Sequence, residues 1–575
     1  MSSLRMPAWL VRLSDVPYRR LPAGDNGNTS GRRKQRGVLA VGTAMICCLA
    51  LLLLRHPSGP SAIADYAYPP SRTTTVTTPP AGGEGLETLQ ARAVALFDAL
   101  EARPILEYAE SLKQESEPGR CAETWRQSNR DMLRNEGANV WPKMTPDVLE
   151  EARRDIINRV KERFGWQAGG RPKGVRELEE MLGEKGRRGI VATAGNQDTG
   201  RRLLTTIRIL RKHHKCTLPI EVWGFPDELA NLGAVRSEID TLAGEVSWRT
   251  VEIEKRQGKW KQFHIKGEVL ARSSFSELLY LDSDSIPLTD PAFLFDSATF
   301  KQNGAVFWAD FNRDPPANPI WRMIGNLHCT PARAWQVETG QVLIDKRARG
   351  GLNLVALEIA RAMQDDEEFW FRLSGGDKDT FRYALYFLSL PYSMAPHYPS
   401  SLGSTPPPGF EGHRFCGHTM LHYGLEPGLE WARLRAQPEW ADAAFLKPEE
   451  EQHAPPLFVH ANVLKHSGYN NRRGDTFLQL KKPVDDRLFH PGTAQSAREA
   501  PLSAIRQIGY SHRGICVDIW DSRAHNGAGE QDQGYREGAY EEGNVEVVDW
   551  RTAFGGIFAG FEDMYYDEGG VAGAW

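Results

Sequence analysis

The chain has 575 residues, of which 70 are basic and 74 acidic, so its formal net charge is only −4. That length suffices for about two to four structural units, and so small a net charge gives no indication of nucleic-acid binding. The charge is uneven, because residues 1–36 carry eight basic and two acidic side chains.

An uncharged, mostly apolar run follows this basic tail at residues 37–54. At ~1.5 Å per residue it is just long enough for a helix to cross a bilayer. A cleaved signal peptide would lie nearer the N-terminus, so we predict an uncleaved transmembrane signal anchor. Because the arginines precede the span, the positive-inside rule predicts a cytosolic tail and a lumenal remainder, as in a type II membrane protein. Five of the seven cysteines lie outside the span, and an oxidising lumen favours one or two disulfides among them.

Two supporting segments are predicted between the span and the main domain. Residues 55–85 are rich in Pro, Ser and Thr and poor in large apolar groups, which predicts an extended stem. In residues 86–180 the signals are helical. The apolar residues from Leu86 to Leu100 follow a 3.6-residue period, and Thr145 is placed to cap a helix that ends near Gly165.

From Arg188 onward the sequence predicts strands that alternate with helices, which indicates an α/β fold with parallel βαβ units. The fourth predicted strand ends in Asp282 and Asp284, and Pro287 is expected to prevent further ladder pairing. Ligands of open α/β sheets bind at this carboxyl edge. Two carboxylates one residue apart favour Mn²⁺ or Mg²⁺ that carries substrate phosphates. We therefore interpret the Asp-x-Asp pair as a metal–diphosphate clamp.

Three other kinds of site share features with the Asp-x-Asp pair. A solvated turn with two acids would show the same Asp-x-Asp pattern. Phosphatases of the haloacid-dehalogenase type also place this pair after a strand, but Ile286 stands where they have Thr or Val, and a full βαβαβ unit precedes the pair here. A calcium loop would need Gly at Pro287 and Glu at Phe293.

Several motifs follow one another in the order found in one enzyme family. They include Leu278–Asp284, Gly304–Phe311, Glu338–Lys346, Gly376–Phe381 and Phe458–Asn462. With them, the stretch from Arg188 to Lys465 resembles the fungal Golgi α-mannosyltransferases that add α-1,2- or α-1,3-mannose to the outer chains of N-glycans. The family more often has Ser at Thr339 and Pro at Ala309.

The resemblance implies an A-type glycosyltransferase fold with a Rossmann-like mixed sheet at residues 181–480. It also implies GDP-mannose as donor, Mn²⁺ as metal, and retention of the α configuration. Gln341 would lie near the anomeric carbon, where its amide oxygen could steady positive charge. Asp377 would contact donor or acceptor hydroxyls. Asp310 would belong to a wall of the site that binds sugar hydroxyls. Alternatively, Gln341 bonds only a neighbouring strand, and the turn that contains Asp377 only precedes a helix cap.

Five residues are predicted to bind the donor or its metal. Asp282 and Asp284 form the clamp, and Thr193 ends the first strand of the sheet beside them. Lys266 would face phosphate, or else be a solvated helix lysine. His460 ends an apolar, strand-like run, and imidazole suits Mn²⁺, so we predict that it is the third metal ligand. The alternative for His460 is a satisfied core histidine.

Aromatic residues near the predicted site have two interpretations. Trp308, Phe311 and Trp321 would form a sugar-stacking wall or would pack in the core. The adjacent His213 and His214 point to different faces of a helix and are interpreted as structural.

The sequence thus predicts a Golgi membrane transferase that moves mannose from GDP-mannose to a mannosylated glycoprotein glycan, and other Golgi mannosyltransferases are its expected partners. One alternative is a transferase of the same fold that uses another nucleotide sugar. Another is a catalytically silent glycan-binding subunit. Residues 481–575 are predicted to be a C-terminal extension, partly disordered, in which 525–544 is a surface loop or disordered.

Overall fold

The computed structural model describes residues 86–115, 133–257, 262–313, 317–325, 335–405, 415–436, 446, 451–466, 472–483, 503–511, 514–521 and 545–572. All of them belong to one compact unit, Ala64–Trp575. The predicted tail, signal anchor and stem lie outside the described residues, as does the stretch 525–544. Among the described residues, no helix is long and apolar enough to cross a membrane.

The strands are β1 Glu184–Thr193, β2 Ile220–Gly224, β3 Val246–Thr250, β4 Phe275–Leu281, β5 Ser285–Pro287, β6 Ala305–Arg313, β7 Trp335–Asp345, β8 Ser393–Met394, β9 Ser400–Ser404, β10 Cys416–Tyr423, β11 Pro456–His460, β12 Gln479–Pro483, β13 Ser503–Ser511, β14 Gly514–Asp521 and β15 Val545–Asp549. The α-helices are α1 Leu86–Glu101, α2 Tyr108–Glu115, α3 Arg134–Asn139, α4 Pro146–Phe164, α5 Val175–Leu182, α6 Gln197–Arg208, α7 Pro226–Ala230, α8 Ala234–Asp240, α9 Ile265–Arg272, α10 Ala298–Asn303, α11 Pro319–Ile324, α12 Leu352–Asp365, α13 Glu367–Ser374, α14 Thr380–Phe387, α15 Pro427–Arg435 and α16 Phe561–Asp567.

The first sheet has seven strands in the order β3-β2-β1-β4-β7-β6-β8. Strands β1 to β4 run parallel, and β7 is antiparallel to both β4 and β6. Helix α6 connects β1 to β2, α7 and α8 connect β2 to β3, and α9 connects β3 to β4. The predicted mixed α/β sheet is therefore confirmed, and the acid pair does follow the fourth strand.

The strand order places the acids at the switch point of this sheet. β1 lies between β2 and β4, so the chain winds outward in one direction through β3 and then returns to the other side of β1. The carboxyl ends of β1 and β4 lie side by side, with Ala192 paired with Leu281. Because a crevice forms where the winding reverses, a ligand has room outside these two ends.

β4 is a central strand with an almost continuous apolar sequence. Leu278, Leu279 and Leu281 are all buried, on both faces of the sheet. Such a sequence is typical of a parallel strand that is covered by helices on both sides.

The second sheet is built mostly from antiparallel strands of the C-terminal half, in the order β13-β14-β10-β9-β12-β15. β11 pairs with β10 and also with the short strand β5. The expectation that Pro287 would end ladder pairing is wrong, because Pro287 pairs with Phe458 of β11. Within the described residues β5 pairs with β11 alone, and proline is tolerated on such an edge strand. The Asp-x-Asp turn thus links the two sheets.

The helical segment before β1 packs on the first sheet. Thr145 caps α4, since its hydroxyl accepts a hydrogen bond from the backbone N–H of Val148, and Gly165 ends α4 with φ 73°. Both predictions for this helix are confirmed. The buried Arg153 donates to the backbone carbonyls of Arg103 and Met323, at 3.1 and 3.0 Å. Because such bonds satisfy buried carbonyl groups, they fasten the helices to the domain.

The last described segment, residues 545–572, belongs to the second sheet and its core. β15 pairs with β12, and Trp550 and Phe558 are buried in the same apolar cluster as residues of β10 and β11. The predicted boundary at residue 480 falls inside β12, so this part of the predicted extension is integral to the domain. Cys416 is disulfide-bonded, in line with the expected disulfide, whereas Cys216 is a buried free thiol.

Candidate metal and donor site

Backbone hydrogen bonds fix the Asp-x-Asp turn to both sheets. The N–H of Asp282 donates to the carbonyl of Gly340 on β7, at 2.8 Å. The carbonyl of Asp284 accepts from the N–H of Ala461, directly after β11, also at 2.8 Å. One acid is therefore held by the first sheet and the other by the second.

Asp282 accepts a hydrogen bond from the Tyr280 hydroxyl at 2.7 Å, and that hydroxyl lies 3.1 Å from the hydroxyl of Thr193. Burial raises the pKa of Tyr280 well above its usual value, so the phenol stays protonated and can donate. Thr193 therefore reaches the acid through Tyr280, at the adjoining ends of β1 and β4.

Lys266 connects Asp282 to Asp377. Its ammonium group lies 3.2 Å from a carboxylate oxygen of Asp282 and 3.0 Å from one of Asp377, and it donates to the carbonyl of Thr339 at 3.0 Å. Only 8% of Lys266 is exposed, so the alternative of a solvated lysine is wrong. Burial opposes the charge of this ammonium, but the two carboxylates outweigh it and raise the pKa of Lys266 well above its usual value.

Asp284 is paired with groups from the second sheet and the turn after it. The Lys465 ammonium lies 2.8 Å from Oδ2 of Asp284, and Nε2 of His460 lies 3.3 Å from Oδ1. Burial would raise the pKa of Asp284, but these two cationic partners hold it well below its usual value.

His460 reaches the turn because β11 pairs with β5 in a register that sets His460 opposite Ser285. Its other ring nitrogen, Nδ1, lies 3.3 Å from the carboxylate of Glu338. Burial would lower the pKa of His460, but Glu338 and Asp284 raise it to about 10. The ring also lies against Gly340, where a Cβ atom would be 2.5 Å from Nδ1.

A divalent cation fits this arrangement. One ligand atom each of Asp282, Asp284 and His460 lie within 4.8 Å of one another. Two ammonium groups and four carboxylates are linked to the turn by the contacts above, those of Lys266, Lys465, Asp282, Asp284, Glu338 and Asp377. Their formal charge is −2 when His460 is neutral, as a metal ligand must be, and −1 when His460 is protonated, as its raised pKa favours without a metal. Carboxylate oxygens and an imidazole nitrogen suit Mn²⁺.

Asp310 lies on β6, beside the strand that carries Glu338, and is paired with Lys378 at 2.8 Å. Lys378 also contacts Asp379 at 3.0 Å. Burial raises the pKa of Asp310, with Lys378 acting in the opposite direction. Burial raises the pKa of Asp377 as well. Asp377 is thus buried and Asp310 partly buried, each beside a lysine.

Gln341 is fully buried, and its side-chain oxygen accepts a hydrogen bond from the Ser285 hydroxyl at 3.1 Å. This contact is the bond to a neighbouring strand that was the alternative for Gln341. Its amide nitrogen has no hydrogen-bond partner among the described residues. A contact between Gln341 and a sugar stays a prediction.

The aromatic residues of the predicted wall pack in the core. Trp308 is 1% exposed and donates to the carbonyl of Tyr423, while its ring meets Phe458 edge-on. Trp321 and Phe311 are also buried. The interpretation of these three rings as a sugar-stacking surface is therefore wrong, because their faces are covered by other side chains. His213 and His214 contact different partners, Glu568 and the Pro287 carbonyl, as expected of structural residues.

Three residues of the site were not singled out from the sequence: Glu338, Lys465 and Tyr280. Glu338 had the clearest signal, since it is a charged residue within the otherwise uncharged run Val337–Ile344. Burial of such a group is costly unless a partner compensates it. Lys465 lies in the turn after β11, where sequence gives little indication of direction.

The mixed sheet with an Asp-x-Asp turn at its switch point is the architecture expected of an A-type glycosyltransferase. The galactosyltransferase LgtC, solved in complex with donor and acceptor sugar analogs, is one similar structure, at 15% identity over 36% of this chain and 73% of that chain. Its TM-score is 0.25, so this likeness carries no argument about function.

Sequence comparisons show which proteins part of the chain resembles. The family model "Mannosyltransferase putative" matches residues 187–320 and 331–424. The α-1,2-mannosyltransferase MNN21 of Candida albicans is 26% identical over 56% of this chain and 55% of its own length. For MNN22 of the same organism, identity is 26%, over 36% of this chain and 42% of the relative. The matches span about half the length of these relatives. The resemblance to the fungal mannosyltransferase family is confirmed for the part of the chain that carries the acid pair.

Proposed function

We propose that this protein is a metal-dependent α-mannosyltransferase that moves mannose from GDP-mannose to mannosylated glycans of glycoproteins. The observation that carries the proposal is the convergence of Asp282, Asp284 and His460 at the switch point of the sheet. Two of these residues lie within the stretch that matches the mannosyltransferase family. The match to α-1,2-mannosyltransferases supports mannose as the transferred sugar.

Asp282, Asp284 and His460 would hold Mn²⁺ or Mg²⁺. When bound, the ion would neutralise charge that develops on the leaving diphosphate. With His460 neutral, as a metal ligand must be, the formal charge of −2 around the turn supports a divalent cation rather than a monovalent one.

The two lysines would supply fixed positive charge. The side chain of Lys465 is 18% exposed, and among the described carboxylates only that of Asp284 is within ion-pair distance of it, so its ammonium group has donors left for a phosphate oxygen. The ammonium group of Lys266 already contacts Asp282, Asp377 and the carbonyl of Thr339, so its role would be to hold those groups in place. Donors fixed before the reaction stabilise the leaving group without reorganisation.

Asp377 and Asp310 would accept hydrogen bonds from sugar hydroxyls, each beside a lysine that keeps it in place. The family resemblance supports retention of configuration. In that mechanism the acceptor hydroxyl attacks on the face that the diphosphate leaves and gives its proton to a phosphate oxygen, so a strong protein base is not required.

The proposal includes the location. The apolar run 37–54 after a basic tail supports a type II protein of the Golgi membrane with this domain in the lumen. Association with other Golgi mannosyltransferases would bring successive enzymes to one glycan. Protease added to sealed microsomes should then remove only the short tail, and digestion of the large domain without detergent would contradict the orientation.

The activity is tested with the purified full chain in detergent, a panel of nucleotide sugars, Mn²⁺ and α-mannobiose. We expect product only with GDP-mannose, loss of product in EDTA, and recovery with Mn²⁺. Product from another nucleotide sugar would indicate the alternative donor. Binding of the mannoside without turnover under every condition would indicate the silent glycan-binding subunit.

A further inference from the structure

A buried carboxylate outside the predicted ligand set lies against the metal-site histidine. Glu338 stands on β7 and is 9% exposed. Its carboxylate accepts a hydrogen bond from the N–H of Gly340 at 2.8 Å, which fixes the side chain beside its own strand. The same oxygen lies 3.3 Å from Nδ1 of His460.

The two nitrogens of the His460 ring thus face two different carboxylates. Nδ1 faces Glu338 on β7, and Nε2 faces Asp284 in the turn, at 3.3 Å each. The ring occupies the space that a Cβ atom at position 340 would need, so it can lie this close to β7 only because the residue is glycine. The orientation of the ring is therefore set by Glu338, Asp284 and Gly340 together.

Only one of these nitrogens can bind a cation. A carboxylate can only accept a hydrogen bond, so without a metal each of the two carboxylates favours a proton on the ring nitrogen that it faces. A cation held by Asp284 would take the place of the proton on Nε2, and the neutral imidazole would then keep its single N–H on Nδ1, toward Glu338. Nε2 is the nitrogen that faces Asp284 and the turn.

We propose that Glu338 is a positioning residue that accepts the Nδ1 proton of His460 and so presents Nε2 to a divalent metal. The inference rests on the proposed metal site at Asp282, Asp284 and His460. Partners of this kind, one step removed from the ion, typically change metal affinity about 10- to 100-fold.

A simpler effect of Glu338 must be separated from this one. A buried negative charge near the ion would strengthen cation binding even if it did not orient the ring. That contribution would remain after His460 is removed. Orientation, in contrast, acts through His460 and would vanish with it. A double-mutant cycle distinguishes the two.

The cycle uses the metal-free full chain, wild type, Glu338→Gln, His460→Ala and the double variant. Mn²⁺ affinity is measured from the electron paramagnetic resonance signal of free Mn²⁺, so activity is not needed. We expect each single variant to bind Mn²⁺ about 10-fold more weakly, and the double variant to bind no more weakly than His460→Ala. Glu430→Gln, which removes another buried carboxylate on α15, is the matched control and should bind as wild type does.

Independent effects that multiply in the double variant would overturn the orientation role, and so would an unchanged affinity in Glu338→Gln. If Glu338→Gln does not give a cooperative melting transition, Glu338→Asp takes its place. This variant keeps the charge but withdraws it from Nδ1 by one methylene, and it is combined with His460→Ala in the same cycle. A loss of affinity that disappears in the double variant supports orientation, whereas an unchanged affinity or a loss that persists in the double variant contradicts it. If the wild type binds no Mn²⁺, the proposed metal site fails, which is a different outcome from failure of the Glu338 role.

Discussion

Asp282 and Asp284 stand one residue apart, yet two different sheets hold them. The first-sheet half of the site consists of Asp282 with Tyr280 and Lys266, which are fixed by β4, α9 and β7. The second-sheet half consists of Asp284 with His460 and Lys465, which come from β11 and the turn after it. Asp284 is also more deeply buried, with 7% of its side chain exposed against 27% for Asp282.

This difference shows how the site depends on folding. Tyr280, Asp282 and Lys266 of the first-sheet half come from α9, β4 and the turn after β4, which are consecutive in sequence, whereas the second-sheet half exists only when residues far along the chain pair with β5. The metal ligands can converge only if both sheets are complete. Changes to the second sheet should therefore affect the metal site from a distance.

The largest effect is expected from loss of the C-terminal strand. A chain that ends at Asn544 lacks β15 together with Trp550, Phe558 and Phe561, all buried. Each such side chain contributes about 3–5 kcal/mol when truncated singly, and a typical domain is stable by only about 5–15 kcal/mol. We expect no cooperative melting transition in near-ultraviolet circular dichroism. A chain that ends at Ala572 is the control. If the chain that ends at Asn544 folds and binds Mn²⁺, the second-sheet half of the site does not require the complete second sheet.

Substitution of the two acids tests the difference between the two halves of the site directly. Asp284→Asn and Asp282→Asn should each reduce transfer at least ~10²-fold, the scale of a lost charge stabiliser. Their stabilities should differ. Asp284→Asn breaks a buried ion pair and should lower the free energy of unfolding by about 3 kcal/mol. In Asp282→Asn, Lys266 keeps its partner Asp377, so the loss should be nearer ~1 kcal/mol. Urea denaturation measures both, and equal losses would contradict the asymmetry.

The difference between the halves also explains what sequence could predict. β4 and the helices around it follow local apolar patterns, and the Asp-x-Asp pair after β4 was visible for that reason. His460 was predicted as a ligand because its strand ends late in the domain, and the structure brings it within 4.8 Å of both acids.

The remaining contacts could not be predicted, because they depend on register between distant strands. β5 is only three residues long, too short for any period, and its pairing with β11 decides which side chains meet the turn. Lys465 reaches Asp284 across 181 positions of sequence. The prediction of an aromatic sugar-stacking wall was wrong for a related reason, since composition does not indicate whether the face of a tryptophan ring is covered. Only the packing of Trp308 against Phe458 decides that.

A change in the second-sheet region that spares the metal site should alter stability alone. Burial raises the pKa of Glu430 from 4.5 to about 7, so the folded protein binds this proton more tightly than the unfolded chain. The resulting stability is complete below pH 4.5 and is lost as the pH rises through about 7, by about 3 kcal/mol in total. Glu430→Gln should remove this loss. Its free energy of unfolding should exceed that of wild type at pH 8 and not at pH 4.5.

Denaturant titrations at several pH values measure this effect, and Mn²⁺ binding should stay unchanged in the same variant. An identical pH dependence in wild type and Glu430→Gln would show that Glu430 is ionised in the folded protein. A changed Mn²⁺ affinity would show that the two parts of the second-sheet region are coupled.

The smallest effect is expected where the two halves touch. Gly340 on β7 lies against the His460 ring, and a Cβ atom there would be 2.5 Å from Nδ1 and 2.7 Å from Cε1. Gly340→Ala should push the ring away from Glu338 and raise the Mn²⁺ concentration for half-maximal rate by about 10-fold, as for other losses of ligand orientation. Gly428→Ala on α15, where a Cβ meets open space, is the matched control. The carbonyl of Gly340 also accepts the N–H of Asp282, so this residue contacts both halves of the site. An unchanged Mn²⁺ requirement in Gly340→Ala would mean that the ring can relax without losing the ion. The two halves would then be less tightly joined than their contacts indicate.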